Sequence, residues 1–526
     1  MIINRLALLS RAALKKWRFA FVLAFAMLFF QYSVILGIIS MTPQNHFWLG
    51  ATITNSSDTG VYLNYLNQVK TSPLLQNYYA DPEHISRFDL FWSLGGQLGK
   101  LGFSPIQNHE LLRIITTIIL AFAVYASAKS VTKNEKDSRI ASLLMISGVS
   151  TGWLYSVFMS MAGLWQFGSP VPSDLSNEFA IAPILLGGAH MILSFAFLLL
   201  GTRWLWQTIA NNESIKKYRW LIIAFHVGFH PYYIPIYGLI TIFALIKTNF
   251  IAWKKFIIFN LALLPGTIYG AYLMAIDSKF RDHHLVVNNL PLDPIWMWLI
   301  ILLPFITAYA WMLWKKDSLD YVSDTLWIYA WLTSAIICII SPLPWDRKFM
   351  QALLPALVLL TLPFWLSIYH ALKPKTDLIL KISLSALLLF PFTHIMQSQF
   401  ALGSDPAWNR YFYVQNETIH AWQTLNGIPK NSTIICTDLY NCLWTPAFTE
   451  RYVWIGHNHE TPDFINRFHE YQTWRKTNDA VIFNNFLAHN KITHVIADKD
   501  IYLQLFSADW QMDYQEANIS VWSRKN

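Results

Sequence analysis

The chain has 526 residues, of which 54% are hydrophobic and only 13% charged, about half the charged share of an ordinary soluble domain. That composition excludes a disordered tail and argues against a cytosolic enzyme or a nucleic-acid-binding domain, despite a formal net charge of +8. Aromatic residues make up 16%, with 24 Trp among them, which suits a protein with two membrane–water interfaces to line.

A membrane crossing takes about 20 largely apolar residues. Such stretches fall near Trp17–Ser40, Asn108–Lys129, Ile140–Met161, Phe179–Trp206, Lys255–Ile276, Ile295–Trp314, Thr325–Ser341, Phe349–His370 and Leu378–Gln399. The first is too long for a cleavable signal peptide and reads as a retained anchor. A further apolar region, Tyr218 to Ile246, is interrupted by His226 and by His230-Pro231. Proline lacks a backbone donor and disfavours helix at the residue before it, so a break is predicted near His230.

Basic residues cluster at Arg5 to Arg18, Lys129 to Arg139, Arg203 to Arg219, Lys247 to Lys255, Lys315/Lys316 and Lys373 to Lys381. If all face the cytoplasm, the loops opposite are poor in Lys and Arg, as the positive-inside rule requires. Lys217 and Lys247 then lie on one side, and the region between them must enter and return. The sequence therefore predicts a mainly α, polytopic bundle of about eleven membrane helices in a cell membrane, with the N-terminus cytoplasmic. The long loops bearing carboxylates and histidines face outward. The inner loops hold no Walker A pattern and no strand-borne GxGxxG, so nucleotide hydrolysis has no support.

After residue 400 the pattern changes. Short apolar runs at Ile434–Thr437, Tyr452–Gly456, Val495–Ala497 and Ile519–Trp522 alternate with helical stretches at Glu417–Leu425 and Thr461–Thr473. Residues 401–526 thus read as a C-terminal extracytoplasmic α/β domain, and residues 1–400 as a membrane domain with a first outer loop at 41–107. Cys436 and Cys442 are free to pair in an oxidising compartment; Cys338 reads as core.

The first outer loop carries Asp58, followed by Tyr62, Tyr65, Leu66 and Val69 at helical spacing. Ser57 or Asp58 caps an amphipathic helix lying on the membrane, or Asp58 is a general base at its boundary; the two roles are compatible. Arg87, in Arg87-Phe88-Asp89, either binds phosphate or pairs with Asp89 or lipid headgroups. Asp174 and Glu178 form an acidic turn, and Glu178 abuts hydrocarbon, where a charge is costly. His190 reads as a packing residue. His230 lies at a helix break that needs protein or a water-filled cavity around it. Arg347 and Lys348 form a basic pair among the outer loops, a planar donor fork beside a point charge, suited to phosphate or to anionic headgroups. Asp282-His283-His284 could take a divalent cation but reads better as a surface loop; no metal-ligand spacing is present and no cofactor is firmly implied.

Taken in order, Ser147-Gly148-Val149 to Gly152-Trp153-Leu154, Ser173-Asp174-Leu175 with Glu178-Phe179, His230-Pro231-Tyr232, Arg347-Lys348-Phe349, and Arg451-Tyr452-Val453 leading to Gly456-His457 resemble a pattern in bacterial membrane glycosyltransferases of the GT-C superfamily. The resemblance covers most of the chain. It implies hexosyl or pentosyl transfer, with inversion, from a polyprenyl-phosphate-linked donor to an acceptor glycan, lipid or protein at the outer face. It also implies an acidic base in the first outer loop, here Asp58. Arg347 and Lys348 would clamp the donor phosphate with Arg87 in support, and Asp174, Glu178 and His230 would line the cavity. The partners so implied are a lipid-linked donor and membrane lipids, with no nucleic acid. The alternatives are a transporter or flippase for a lipid-linked or anionic solute, against which the sequence offers only one clear helix break and no internal repeat, and a structural partner in an envelope assembly.

Overall fold

A computed structural model describes the chain apart from residues 1, 53, 55, 83–85, 165–179, 278–280, 282–284, 286–293, 316–324, 344–345, 372–377, 407, 499–503 and 526; the side chains of 2–15, 160, 346–347, 378–388 and 390 are also outside the description. Asp174, Glu178 and Asp282-His283-His284 therefore lie outside the described residues. The protein is mainly helical, about 70%, with a C-terminal sheet region. It divides into two compact units. The first comprises residues 1–34 and 113–398, and the second residues 35–112 and 399–526, so that the first long loop groups with the C-terminal region.

The first unit is all helix among the described residues. Among the described residues, six helices are long and apolar enough to cross a membrane: Lys16–Ser40, Pro105–Val131, Ala189–Ile209, Trp253–Ile276, Ile295–Lys315 and Met350–Ala371. Two bent pairs, Glu135–Ser147 with Gly152–Met159 and Lys217–Phe229 with Pro231–Lys247, raise the number to eight if each is one span. The helix Thr325–Ile340 is apolar but shorter. The expected count of eleven is not confirmed: the re-entrant pair counted there as two is one bent element here, Thr325–Ile340 is shorter than a full span, and the helix Leu378–Ser404 has many side chains outside the description. On Trp253–Ile276 the side chains of Ile257, Leu261, Leu264 and Ile268 stay exposed. They recur at the spacing of one helix face, and an apolar stripe of that length is stable only against a non-aqueous surround. The protein is membrane-associated.

Inside this unit, apolar side chains from nearly every helix form one continuous core that includes Trp327, Trp331 and Phe349. Several polar groups within it are paired. Gln31 donates to the Leu185 carbonyl and accepts from Thr117, and Arg113, 1% exposed, donates to the Gly187 carbonyl at 3.3 Å. The break between Lys217–Phe229 and Pro231–Lys247 bends the chain by 117° at His230, the residue before the proline.

The second unit carries every strand among the described residues. A short antiparallel pair joins β1 (His46–Trp48) to β4 (Tyr413–Gln415), and another joins β2 (Leu74–Leu75) to β3 (Arg87–Phe88). The main sheet is formed by β5 (Thr433–Cys436), β6 (Tyr452–Val453), β7 (His494–Asp498), β8 (Trp510–Glu516) and β9 (Ile519–Arg524), in the order β6-β5-β7-β9-β8. β5 runs parallel to β6 and β7, while β9 runs antiparallel to β7 and β8. The apolar runs expected as strands all form, and β8 is additional. Its outward residues are mostly polar, so it lacks the apolar run that marks the others. Ile435, Trp454, Tyr471, Trp474, Phe483 and Val495 are buried in a core beside this sheet. Cys436 and Cys442 are joined in a disulfide, and Cys338 is free and buried.

Close approach of two helices in the first unit depends on Gly266. A Cβ there would lie 2.5 Å from the Val227 carbonyl oxygen, a backbone atom that cannot step aside. Small residues permit such approach between apolar helices. Gly270, one turn on, has open space around it. Gly266→Ala is expected to lower stability by about 1–3 kcal/mol, whereas Gly270→Ala is neutral or slightly stabilising. Thermal unfolding of the purified protein in detergent checks the pair; equal midpoints would contradict the close approach.

Candidate functional site

Around the helix Ser56–Gln68 the second unit gathers one set of acidic, histidine and arginine side chains. Asp58 sits in the first turn of that helix, and its residues from Thr59 to Leu66 are buried. It is thus an embedded element, and the expectation of an amphipathic helix lying on the membrane is not met. The cause is the partner it packs on, the helix Leu439–Thr449. A Cβ at Gly60 would meet the Leu443 carbonyl oxygen at 3.1 Å, and the Tyr79 hydroxyl donates to that same carbonyl at 2.7 Å.

Asp58 presents one carboxylate oxygen, Oδ1, to His457 Nε2 at 3.0 Å, and the other, Oδ2, accepts from the Tyr62 hydroxyl at 3.4 Å. The tautomer of His457 follows from its opposite edge. Nδ1 accepts the backbone N–H groups of His459 and Glu460, both at 3.2 Å, and so carries no proton itself. The proton resides on Nε2 and is donated to Asp58. His457 is 2% exposed and Asp58 is 37% exposed, so the histidine is a buried support and the carboxylate is partly exposed. Gly456, just before it, allows this placement: a Cβ there would come within 2.9 Å of the Tyr79 ring and 3.0 Å of the Cys442 carbonyl.

One face of the same helix continues through Tyr62 to Tyr65. Tyr62 stacks on Trp92 with ring centroids 5.0 Å apart. The Tyr65 hydroxyl accepts from the Arg87 guanidinium, whose carbon also lies 5.3 Å from the Tyr65 ring centre. Glu460 stands 3.6 Å from the same guanidinium. Burial works against the Arg87 charge, and Tyr65 and Glu460 outweigh it, so its affinity for the proton is raised. Burial also pushes the Tyr65 phenol up. Since the Glu460 N–H holds His457 and its carboxylate faces Arg87, the groups form a closed circuit from Asp58 through His457, Glu460, Arg87 and Tyr65 back to the helix.

Arg87 therefore has its guanidinium engaged by protein, and a phosphate would compete with Glu460 for it. The alternative pairing with Asp89 is not the contact made; Asp89 instead caps the helix Leu90–Gly95 by accepting from the Trp92 N–H at 3.1 Å. His230 belongs to the first unit. Its ring stacks on Tyr233 at 5.2 Å and lies 6.3 Å from those of His190 and His226. The turn Pro231–Tyr233 packs against the turn Asp346–Phe349, which bears Lys348, and the Tyr233 hydroxyl donates to Gln351 just beyond. The Arg347 side chain is outside the described residues. Nearby, His226 bonds Ser194 Oγ through Nε2 and the Tyr237 hydroxyl through Nδ1, each at 2.8 Å. Tyr237 spends its one proton on the Phe197 carbonyl at 3.0 Å. Nδ1 of His226 must then be the donor, and Nε2 accepts from Ser194.

No protein-family model matches this chain, nor does any curated protein sequence. Among the described residues, no group of three or more His, Cys, Asp or Glu side chains is arranged to hold a metal ion. The residue that sequence reasoning left without a role is His457. The Gly-His pair after a short strand was the available signal.

Asp89 supplies a pH-dependent marker of this unit. Burial raises its carboxyl to about 6, against the opposing N–H of Trp92 and the charge of Arg87. Between about pH 4, where an unfolded Asp ionises, and about 6 the folded form holds a proton that the unfolded chain has lost. Stability from this group therefore falls as pH rises through that window and is least above it. Asp89→Asn keeps a capping oxygen and is expected to flatten this slope. Thermal unfolding of both proteins from pH 4 to 7 measures it; identical slopes would remove the assignment.

Proposed function

We propose that this protein is an integral membrane glycosyltransferase of the GT-C type, moving a sugar from a polyprenyl-phosphate-linked donor to an acceptor at the outer face of the membrane, with Asp58 as general base. The observation that carries the reading is the Asp58 carboxylate itself, oriented by a buried histidine of defined tautomer and partly exposed. An acceptor hydroxyl gives its proton to Asp58 as its oxygen bonds to the anomeric carbon. The bond from that carbon to the phosphate oxygen breaks, and its electron pair leaves on the polyprenyl phosphate. The configuration at the anomeric carbon inverts. His457 cannot serve as the base, because Nδ1 is occupied by backbone donors and Nε2 already carries hydrogen. It is a positioning residue. Arg347 and Lys348 remain the proposed ligands of the donor phosphate, for which a lysine in a turn is chemically suited. No nucleotide is needed, since the lipid phosphate is itself the leaving group.

A carrier for a lipid-linked or anionic solute is the second reading. What favours it is the 117° bend at His230, with histidine and tyrosine side chains buried around it, since broken helices are common at transporter binding sites.

Transfer of labelled sugar from a lipid carrier by the purified protein separates the two. Asp58→Asn is expected to reduce kcat by about 10²–10⁴-fold. His457→Ala reduces it less, and His457→Gln, whose amide can still donate to the carboxylate, recovers part of the loss. Lys348→Ala raises the donor KM with little change in kcat. Full turnover by Asp58→Asn would overturn the base assignment; solute counterflow in proteoliposomes without sugar transfer would establish the carrier instead.

A further inference from the structure

A second cleft in the same unit stands apart from the Asp58 circuit in its chemistry and its position on the sheet. β5 is the central parallel strand. The chain leaves it through the helix Leu439–Thr449 to β6 on one side, and returns through the helices Phe464–Lys476 and Ala480–His489 to β7 on the other. The strands that follow β5 and β7 in the chain, β6 and β8, lie on opposite sides of that pair, and such an arrangement opens a crevice at the carboxyl end of the sheet. The structure has a cleft there of about 340 Å³, with Asp438 beyond the end of β5 and Asp498 at the end of β7 both on its wall. That volume lies at the small end of the range for organic ligand sites.

Its lining is specific. Asn409 and Asn441 supply amide donors and acceptors, and Tyr440 supplies a ring face, with the Trp444 ring buried in the wall. Asp438 caps the helix that follows it by accepting from the Tyr440 N–H at 3.1 Å, and Arg410 approaches its other oxygen at 3.8 Å. The backbone N–H of Asp498 is anchored by the Thr437 hydroxyl at 3.0 Å. Burial raises the Asp498 carboxyl, and the charge of Asp438 raises it further; a cation placed between them would reverse that. Trp444 is 1% exposed and its indole N–H is buried with no acceptor among the described residues. A buried donor of this kind is costly unless something accepts from it. A hydroxyl oxygen of a bound molecule would do so.

We propose that this cleft binds a monosaccharide-sized polyol bearing an ammonium group, an amino sugar. Vicinal hydroxyls match the alternating amides and carboxylates, and a sugar's apolar face matches the Tyr440 ring. Arg410 stands beside Asp438, and the carboxylate of Asp498, bonded by the Thr437 side chain and felt by Arg475 and Arg410, is the group that meets the ammonium. An anionic sugar is disfavoured by two carboxylates against one arginine on the cleft wall. The proposal does not depend on the transfer reading, since it concerns binding and a different set of residues.

The test is calorimetric titration of the full-length protein in nanodiscs with glucosamine, glucose, glucose 6-phosphate and spermidine. Saturable binding of glucosamine is expected, at least tenfold tighter than glucose, with glucose 6-phosphate weakest. Asp498→Asn is expected to remove the preference for glucosamine over glucose, and Trp444→Phe, which keeps a ring but loses the N–H, to weaken both sugars. Asn441→Ala, a milder change at the cleft wall, weakens both sugars as well and guards against misfolding of the other two. Absence of saturable sugar binding, tighter binding of glucose 6-phosphate than of glucosamine, spermidine binding as tightly as glucosamine, or an unchanged glucosamine preference in a folded Asp498→Asn protein would each overturn the proposal.

Discussion

The hydrogen bond between Asp58 and His457 joins residues 399 positions apart in the chain, and much of the second unit can be understood as what is needed to hold it. Loop closure over such a distance carries an entropic cost that one hydrogen bond does not offset. The offset comes from the burial of Val61, Leu63, Tyr65 and Leu66 on the Ser56–Gln68 helix and of Leu443, Trp444 and Ala447 on the helix it packs against. The disulfide between Cys436 and Cys442 ties the start of that second helix to the end of β5. Tight passage at Gly60 and Gly456 then sets the separation. Packing places the histidine, and the histidine orients the carboxylate.

Hydrogen-bond direction carries the next step. A histidine whose Nδ1 already accepts two backbone donors has one proton to give, and it gives it to Asp58. A similar constraint operates in the first unit, where Tyr237 commits its proton to a backbone carbonyl and so fixes which edge of His226 donates. In both places a protein group with no freedom of its own, a backbone N–H or a carbonyl, dictates the state of an imidazole. Such histidines are held in a single tautomer and orientation. They are supports, and the reactive candidates are the groups they face.

Much of this architecture was legible in the sequence, for identifiable reasons. Apolar runs of about 20 residues and strand-length runs after residue 400 announce themselves by length, and the proline after His230 announces the break. Asp58, Tyr62 and Tyr65 show by their spacing that they share a helix face. The burial of that helix was not legible, because its partner, Leu439–Thr449, lies hundreds of residues away and polar residues such as Asn64 and Gln68 disguise a buried segment as an amphipathic one. Gln68 is buried because its amide bonds Asn64 and the Gln76 backbone, a satisfaction that no periodicity reveals. The partner of Arg87 was hidden for the same reason. Asp89, two residues away, is the near choice in sequence, yet β3 ends at Phe88 and Asp89 turns its carboxylate to the N-terminus of its own helix.

The engagement of Arg87 sharpens the argument about phosphate. A guanidinium that already holds a phenol oxygen and faces a carboxylate at 3.6 Å has its charge largely compensated, and recruiting it to an anionic ligand would leave Glu460 uncompensated beside that ligand. Glu460 in turn supplies a backbone N–H to His457, so moving it would loosen the support of Asp58. The circuit is therefore better suited to holding a base in place than to binding the leaving group. Under a transferase reading, donor-phosphate binding must come from cations outside this circuit. A carboxylate base benefits from that division: a phosphate-binding cation beside Asp58 would stabilise its ionised form and make it a weaker acceptor of the proton it has to take.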